Sequence, residues 1–492
     1  MNILMLFAVL VPAAAGILLP VLKPARKTML VYTGCVLFIE AVLVTGLLFM
    51  REGEFVLFSM TEKLTVSLKL DPLAKVFMAI AAYGSLLAGI FAFRYMEHEE
   101  KEGSFKESTF YSFYLLTEAA LIGMDLSSNL IAMYFFFEML TLLSMPLVLF
   151  ERTGESIAAA LKYLFYSVGG AFLALASLFV LAVYAPTLSF VPGGTLTKEA
   201  VSGHETLLLI MTFLGVVGFS AKAGMYPLHG WLPTAHPQAP APASAVLSGI
   251  IAKAGVLAIV RLVFYVVGPA FLRGTWVQTA LLSLSLLTVF MGSMMAYLEK
   301  NLKKRLAYSS VSQISYALFG FFLLNTAGFM GGILQVIFHC MAKVCLFLTA
   351  GSFIFHGNRR MVGDLNGIGR TMPYTLLAFT FASLSLIGIP PFGGFVSKWY
   401  LAEGALSSGI SVISWLGPVT LLVSALLTAG YLLPVTVAGF FPGKGFKAEE
   451  KSPEGKALML VPLAVLALLT LVLGLVSGLL NQGLAGFIEA LF

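Results

Sequence analysis

The chain has 492 residues, of which 59% are hydrophobic and 11% charged, with a formal net charge of +6 and a mean hydropathy of +0.95. A soluble domain carries about 25% charged residues, so this composition excludes a soluble globular protein. The positive charge does not indicate nucleic-acid binding, because most basic residues cluster in loops between apolar segments, as membrane topology requires. The sequence contains no strand–GxGxxG–helix unit and no phosphate-binding loop, and therefore predicts no nucleotide site.

Apolar runs of about 20 residues, each long enough to cross the hydrocarbon core of a bilayer, recur along the chain. We predict fourteen transmembrane helices, at 2–22, 29–50, 72–96, 109–126, 130–150, 156–185, 204–224, 242–267, 276–298, 305–324, 328–356, 371–403, 410–441 and 457–488. The first run has small residues like those of a signal peptide but no basic segment before it, so we interpret it as a retained span. The spans 204–224 and 371–403 run into proline-rich breaks and are predicted to be discontinuous.

Two connecting segments have distinct patterns. Segment 54–70 alternates partly between apolar and polar residues and predicts a short hairpin outside the membrane. Segment 187–204 is rich in Gly, Ser and Thr and predicts an exposed loop.

The charges in alternate loops predict the orientation of the chain. One set of loops is rich in basic residues, and the positive-inside rule places this set in the cytoplasm. The rich set contains Lys23, Arg26, Lys27, Arg94, Lys101, Lys106, Arg152, Lys300, Lys303, Lys304, Arg305, Arg359, Arg360, Arg370, Lys444, Lys447, Lys451 and Lys456; the poor set contains Arg51, Lys63, Lys69, Lys198 and Arg273. With an even number of spans, both termini are predicted on the non-cytoplasmic side of the cell membrane.

Residues 219–261 combine ionisable and helix-breaking residues inside apolar segments. Lys222 and Lys253 lie in stretches apolar enough to span a bilayer, where a lysine costs roughly 2.5–3.5 kcal/mol on insertion scales. The prolines between them break the helix and free carbonyl groups that only protein or water can satisfy; they are Pro227, Pro233, Pro237, Pro240 and Pro242. Both features are tolerated where a polar cavity crosses the membrane, which predicts movement of a proton, or of a sodium ion, across it.

The second half of the chain repeats this combination. His339 and Lys343 are four residues apart and share a helix face, which suits a relay step or a polar bridge in a broken helix. Lys398 follows a Pro-Pro and Gly-Gly break and lines a cavity on a half-helix, or is an interfacial lysine at a span end. The Lys222 and Lys398 regions lie five predicted spans apart, and an odd offset predicts two units related by an inverted repeat.

Glu138 lies within the apolar run IAMYFFFEMLTLLSMPLVLF, where a carboxylate must be protonated, hydrated or paired. It is either a partner of Lys222 or one half of a structural ion pair between two helices. Lys222 could instead extend to the membrane surface, and Lys253 could belong to a fixed ion pair, although the small residues around it leave room for water. We expect Arg261 to be interfacial.

Two histidines follow Lys222. Histidine suits a proton relay because it titrates near neutrality, but His229 and His236 could equally cap the freed carbonyl groups, and we expect His236 in a loop. No Cys or carboxylate joins them at a metal-ligand spacing, so no metal site is predicted. Cys340 and Cys345 fit no zinc or iron–sulfur spacing and are interpreted as buried thiols.

The basic cluster Lys303, Lys304 and Arg305 opens the tenth predicted span and is interpreted as topological. The polar residues that follow it could line a water path or form interhelical hydrogen bonds. They are Tyr308, Ser309, Ser310, Ser312 and Gln313.

Four motifs in chain order carry a family resemblance that covers roughly residues 70 to 440: AKAGMYPLHGWLPTAHPQAP, LKKRLAYSSVSQISY, FHCMAKVCLFLTAGS and GIPPFGGFVSKWYL. Together they are far more specific than one short pattern. The chain resembles the proton-translocating, antiporter-like membrane subunits of respiratory complex I, the D subunit of Mrp-type sodium/proton antiporters and the homologous subunits of membrane-bound energy-converting hydrogenases.

This resemblance implies an all-α fold with two inverted five-helix repeats. We predict spans 1–3 and the hairpin in residues 1–108, the first repeat in 109–267, the second in 276–441 and the last span in 457–492. The resemblance also implies residue roles: Glu138 faces Lys222, Lys253 is the next relay, His339 and Lys343 form the relay of the second half, and Lys398 is the outward-side charge, a lysine in some members and a glutamate in others.

We predict that the chain translocates protons as an antiporter-like subunit of a multisubunit respiratory complex, of complex I or hydrogenase type. Its expected partners are other membrane subunits, further antiporter-like subunits among them, together with lipid and protons or Na⁺. No redox centre, cofactor or metal of its own is predicted. The alternatives are an Mrp-type antiporter subunit without redox coupling and a non-conducting scaffold whose buried charges only dock neighbours.

Overall fold

The computed structural model describes residues 2–59, 65–100, 102–196, 198–443 and 454–492, and their fold is almost entirely helical. The helices are α1 (Asn2–Leu22), α2 (Arg26–Leu48), α3 (Pro72–Tyr95), α4 (Glu107–Asp125), α5 (Leu130–Val148), α6 (Gly154–Tyr184), α7 (Lys198–Val201), α8 (Glu205–Ala223), α9 (Leu232–Gln238), α10 (Ala241–Val246), α11 (Ala252–Arg261), α12 (Pro269–Leu272), α13 (Trp276–Leu298), α14 (Leu302–Phe322), α15 (Thr326–Gly357), α16 (Pro373–Ile387), α17 (Gly393–Leu406), α18 (Ile413–Phe440), α19 (Ala457–Leu475) and α20 (Ser477–Glu489). Two π-helical segments, Leu247–Ile251 and Leu262–Val267, join α10, α11 and α12.

The protein is a multi-pass membrane protein. Within the described residues, eleven helices are long and apolar enough to cross a bilayer, and one of them is the continuous stretch Ala241–Val267. The α4 and α14 helices have similar lengths, 19 and 21 residues, but are more polar. The count of fourteen spans therefore stays a prediction.

Both predicted discontinuities are present. The α8 helix ends at Ala223 because Gly224 adopts a left-handed conformation (φ 80°), and an irregular segment then leads to the short α9. The α16 helix ends in the same way at Gly388 (φ 90°), and α17 begins only at Gly393. The predicted span 457–488 is also two helices, α19 and α20, which the sequence pattern did not indicate.

The predicted hairpin is confirmed as an antiparallel pair, β1 (Gly53–Ser59) and β2 (Thr65–Leu70), while Lys63 and the rest of residues 60–64 lie outside the described part. The expectation that 187–204 is an exposed loop is partly wrong. Phe190 is buried, because Ser189 pairs with Asn129 and draws this segment onto the helices.

The two ends of the helix bundle differ in charge. One end, here called the hairpin end, carries β1 and β2, and α3 runs from it to Tyr95, which packs on Phe355 at the opposite end. That opposite end, here called the basic end, includes the loops around Lys300 and Arg360, which pair through Asn301 and Met361. Four residues of the basic loops, Lys101, Lys444, Lys447 and Lys451, lie outside the described residues.

Arg261 forms a buried ion pair near the hairpin end, so its expected interfacial position is wrong. Its guanidinium donates to both carboxylate oxygens of Asp71, at 2.5 and 2.9 Å, and lies over the rings of Phe190 and Tyr265. Asp71 also caps α3 by accepting from the Ala74 backbone amide at 2.8 Å. A guanidinium with two bonds to one carboxylate can stay inside the protein, which explains why Arg261 does not reach the interface.

We predict that Asp71→Asn lowers the free energy of unfolding by about 3–5 kcal/mol, because it leaves the Arg261 charge buried without its partner. The measurement is chemical unfolding of the purified protein in detergent. The matched control is Glu299→Gln, which breaks the more exposed pair with Lys304 and should cost at most about 1 kcal/mol. Equal losses in the two variants would show that the Arg261–Asp71 pair does not stabilise the fold.

Candidate functional site

Lys222 is completely buried in the last turn of α8. Its ammonium donates a 2.6 Å hydrogen bond to Thr141 Oγ1 on α5 and lies 4.7 Å from the centre of the Phe137 ring. The alternative in which Lys222 extends to the membrane surface is wrong, because the helix ends one residue later and the side chain turns inward. The hydroxyl and the ring face supply the polar contacts that the buried charge needs.

Glu138 is half-buried on α5, one turn before Thr141. Its carboxylate interacts with the Tyr134 hydroxyl and, at longer range, with the Lys222 charge. Both residues are described, and no ion pair within 4.0 Å joins them. Lys222 therefore contacts a neutral hydroxyl next to Glu138, so that Thr141 and Glu138 offer its ammonium two acceptors on one face of α5.

Lys253 follows the first π-helical segment and is 2% exposed. Its ammonium donates to the Ser248 carbonyl oxygen at 2.5 Å, a group that belongs to the π-helical segment. It faces a small cavity, too narrow to hold a water molecule, which is lined by Gln313, Gln335 and His339 among others. A π-helical segment rearranges the regular hydrogen bonds of the helix, which leaves this carbonyl available to the lysine.

His339 and Lys343 share one face of α15, which is continuous over 32 residues, so a break in this helix does not explain them. Lys343 donates to the Leu306 carbonyl oxygen at 2.9 Å. Neither ring nitrogen of His339 has a hydrogen-bond partner among the described residues, and its ring interacts electrostatically with Lys253 and Lys343. These three groups therefore form a cluster in the centre of the protein.

Two glutamines connect this cluster to the second broken helix. Gln335 Nε2 donates to Gln313 Oε1 at 2.8 Å, and Ser397 Oγ donates to Gln335 Oε1 at 2.7 Å. All three side chains are buried. The Gln313–Gln335–Ser397 bridge leads from the cavity beside Lys253 to the residue before Lys398. The sequence analysis did not assign Gln335 or Ser397 to the site, although a buried glutamine four residues before His339 was a visible signal.

Lys398 lies in the second turn of α17 and is partly buried. Its ammonium donates to the carbonyl oxygens of Leu386 and Ile387, at 2.5 and 2.7 Å, and lies 5.2 Å from the Tyr316 ring centre. The two carbonyl groups are the free C-terminal acceptors of α16, which carry the negative end of that helix dipole. The break in the chain thus provides the binding partner of the lysine.

His236 is fully buried in α9, which corrects the expectation of a loop position. It stacks on Phe347 at 4.7 Å, neither ring nitrogen is hydrogen-bonded within the described part, and its charged neighbours are Lys303, Lys343 and Lys253. Lys303 is itself buried and donates to the Ala239 carbonyl oxygen at 2.5 Å, so it is more than a topological charge. The prolines of this segment permit a short helix that directs His236 inward.

His229 lies in the irregular segment between α8 and α9, so it does not share a helix face with Lys222. It stacks on Tyr226 at 5.7 Å and faces Lys162, which in turn donates to Thr234 Oγ1 at 3.0 Å. Among the described residues no hydrogen bond joins the Lys222 contacts to the Lys253 cluster. Between the two groups, α8 packs closely on α11 at Gly255.

The described residues contain no cluster of three or more His, Cys, Asp or Glu side chains that could hold a metal ion. The three cysteines are free thiols, and Cys340 and Cys345 are buried, as expected, whereas Cys35 is exposed. The ammonium groups of the site repel metal cations.

Three buried carboxylates outside this site were not predicted. Glu40 and Glu118 interact electrostatically between α2 and α4, and Ser85 donates to Glu118. Asp125, at the end of α4, faces Arg261. Carboxylates inside the predicted spans 29–50 and 109–126 gave the same signal as Glu138 and could have been recognised in this way.

Known proteins resemble this chain over most of its length. The family described as "NADH:quinone oxidoreductase/Mrp antiporter, TM" matches residues 127–445, and "NADH-Ubiquinone oxidoreductase (complex I), chain 5 N-terminus" matches residues 58–106. The first match covers more than half of the chain. The chain belongs to the NADH:quinone oxidoreductase/Mrp antiporter family.

Members of this family include proteins of similar length. The N subunit of the NADH-quinone oxidoreductase of Desulforudis audaxviator is 33% identical over an alignment of 427 residues, which covers 83% of this chain and 82% of that protein. The D subunit of the Na⁺/H⁺ antiporter of Bacillus subtilis is 29% identical over 416 residues, with coverages of 83% and 80%. Other curated relatives are longer, and the chain spans 63% and 51% of the length of two of them.

The fold of the family is also seen in a solved complex. A chain in the structure of the Mrp complex from Dietzia sp. DQ12-45-1b superposes with a TM-score of 0.83 at 23% identity, over 100% of this chain and 99% of that chain. The matched family region, residues 127–445, contains all eight candidate residues from Glu138 to Lys398. This chain is therefore an antiporter-like membrane subunit by family and by fold.

We predict that Gln335→Leu lowers the free energy of unfolding by about 1–3 kcal/mol, because Gln313 and Ser397 then lose a buried partner. The matched control is Ser383→Ala, which removes a buried hydroxyl that bonds only to the Phe379 carbonyl oxygen of its own helix. Chemical unfolding in detergent measures both variants. If Gln335→Leu were as stable as the unchanged protein, the polar bridge would not be an integral part of the core.

Proposed function

We propose that this chain translocates protons as an antiporter-like subunit of a multisubunit respiratory complex, of the complex I or membrane-bound hydrogenase type. The observation that carries the proposal is the row of buried and partly buried basic groups that leads from α8 through the centre of the protein to α17. Its members are Lys222, Lys253, His339, Lys343 and Lys398, with Glu138 beside the first. His229 and His236 are additional relay groups.

Unpaired charges favour transport over a scaffold role. Among the described residues, none of the four lysines of this row forms an ion pair with a carboxylate. Each donates to a hydroxyl or to carbonyl oxygens, whereas Arg261, in the same protein, is held by two bonds to Asp71. A group that only docks helices gains from a fixed partner, but a relay group must exchange its proton.

The chemistry of the row favours protons over sodium ions. Sodium, like other hard cations, binds oxygen ligands, and a neighbouring ammonium repels it. The groups of the central cluster are amines and an imidazole, which accept and donate protons. Sodium/proton exchange, as the name of the Bacillus relative suggests, remains the second candidate, and the 29% identity to that protein favours it.

The proposed route starts in the cytoplasm. The positive-inside rule places the basic end there and the hairpin end, with both termini, on the opposite side. Protons enter near Lys222, pass to Lys253 and the His339–Lys343 pair, and leave near Lys398, while Glu138 attracts the Lys222 ammonium away from Thr141. Two inverted repeats, 109–267 and 276–441, form the two halves of this route, with other membrane subunits of the complex as partners.

We predict that Lys222→Ala and Glu138→Ala each abolish proton pumping, because the first removes the proton carrier and the second removes the charge that moves it. The measurement is acidification of proteoliposomes that contain the assembled complex, with assembly checked by native gel electrophoresis. Lys304→Ala, which removes a surface lysine paired with Glu299, is the control and should pump normally. Normal pumping by the two assembled variants would refute the proposal.

The transported ion requires a separate measurement. We predict that the complex keeps pumping when choline replaces all sodium, and that a protonophore abolishes the gradient, because the central cluster consists of amines and an imidazole, which exchange protons. Under the Mrp alternative the outcome is the reverse: transport requires sodium and resists the uncoupler.

A further inference from the structure

The polar residues of α14 face two different parts of the protein. Ser310 bonds to Ser248 at 2.6 Å, and Gln313 bonds to Gln335, so these two side chains face the Lys253 cluster. Ser309 and Ser312 face the other way, toward α13 and α18. The second set belongs to a line of buried hydroxyl groups that the proposed route through Lys253 does not use.

This line, here called the hydroxyl column, consists of Ser309, Tyr431, Thr428, Ser424, Ser293, Ser312 and Tyr316, each at most 1% exposed. At its outer end the Tyr431 hydroxyl donates to Ser309 Oγ at 2.7 Å and lies 3.3 Å from Thr428 Oγ1. Arg305, in the first turn of α14 at the basic end, donates to the Tyr431 carbonyl oxygen at 2.8 Å. The backbone of Tyr431, at the outer end of the column, therefore contacts a buried arginine of the basic end.

Three serines from three helices form the middle of the hydroxyl column. Ser293 Oγ lies 2.5 Å from Ser424 Oγ and 2.8 Å from Ser312 Oγ, and Ser312 Oγ lies 3.3 Å from Ser424 Oγ. A hydroxyl both donates and accepts, so each of the three can take a proton from one neighbour and release its own to the next. Thr428 and Ser424 are one turn apart on α18, and Thr428 now donates to the Ser424 carbonyl oxygen.

Tyr316 forms the inner end of the hydroxyl column. Its hydroxyl interacts with Ser424 and donates to the Leu421 carbonyl oxygen at 2.8 Å. Its ring contacts the Lys398 ammonium at 5.2 Å. Ser309 and Tyr316 are seven residues apart on α14, a distance of about 10 Å along the helix. The column thus leads from the basic end toward the lysine that ends the proposed route, whose ammonium lies against the Tyr316 ring.

We propose that the hydroxyl column is a second proton route, which connects the basic end directly to Lys398 without passing through Lys222 or Lys253. The proposal rests on the proposed function. When a proton reaches Ser309, its hydroxyl oxygen binds that proton and releases its own proton to the next hydroxyl. Each following hydroxyl of the column repeats this exchange. Lys398 takes up the last proton after it has released one to the far side. Rotation of the Thr428 hydroxyl and of the Lys398 side chain, or one water at each point, completes the chain.

The alternative is a purely structural role, in which these hydroxyls only form hydrogen bonds between α13, α14 and α18. Interhelical hydrogen bonds stabilise helix packing in membranes, so this role alone would make the column important for stability. The two roles differ in what a tyrosine hydroxyl must do. A Tyr→Phe substitution keeps almost the same side-chain volume, so it opens no cavity. It removes the hydroxyl, and this interrupts proton transfer along the column.

The test uses the double variant Tyr316→Phe/Tyr431→Phe in the assembled complex, with proton pumping per turnover as the readout. The matched control is Ser285→Ala, which removes a buried hydroxyl of α13 that bonds only to the Leu282 carbonyl oxygen of its own helix. We expect the double variant to pump several-fold fewer protons per turnover and the control to pump normally. Unchanged pumping by the double variant would overturn the column as a route.

A second measurement separates this result from a failure of the proposed function. Ser424→Cys, in a Cys35→Ser background that removes the exposed thiol, places a probe in the middle of the hydroxyl column. We expect a small thiol reagent to modify it faster from the basic end than from the hairpin end. If the unchanged complex pumps no protons, the proposed function fails. If it pumps and the double variant also pumps normally, only the hydroxyl column fails, whatever the reactivity of Ser424→Cys.

Discussion

The structure depends on how a buried ammonium group is stabilised without a carboxylate. A lysine inside a bilayer costs roughly 2.5–3.5 kcal/mol on insertion scales, and this chain buries several of them. Lys253 and Lys343 are held by carbonyl oxygens of Ser248 and Leu306, and Lys222 by the Thr141 hydroxyl. Such partners lower the free-energy cost of burying the ammonium charge, but they do not force the lysine to keep its proton. When the lysine loses its proton, no buried carboxylate is left without a partner.

The Arg261–Asp71 pair shows the opposite solution within the same fold. It ties the start of α3 to the end of α11, and its guanidinium stays protonated at every accessible pH. Lysine and histidine change charge more readily, and the row from Lys222 to Lys398 is built from them. The cavity between Lys253 and His339 is too narrow in this conformation to hold a water molecule. Under the proposed function, proton transfer at that point would require the helices to separate slightly, which would couple proton movement to a change in structure.

The sequence predicted the parts of the fold that depend on hydrophobicity and on helix breaking. Both broken helices, the hairpin and the buried position of Lys222, Lys253, His339 and Lys343 agree with the structure. Contacts between distant segments could not be predicted from local patterns. Arg261 was misplaced because its partner is 190 residues away, and His236 because two flanking prolines suggested a loop. The π-helical segments beside Lys253 follow from tertiary packing and leave no pattern in the sequence.

Each half of the chain contains a broken helix with a lysine beside the break. Lys222 precedes its break and Lys398 follows its break, so the order of lysine and break differs between them. Both lysines nevertheless lie near the C-terminal end of a helix: Lys222 belongs to the last turn of α8, with its ammonium on Thr141 of α5, and the Lys398 ammonium lies on the last carbonyl oxygens of α16. The negative end of a helix dipole stabilises a cation by about 0.3–1 kcal/mol at exposed sites and by more when partly buried. An unbroken span places the negative end of its helix dipole at the membrane surface. A break moves this negative end into the interior, where it stabilises the charge of the lysine.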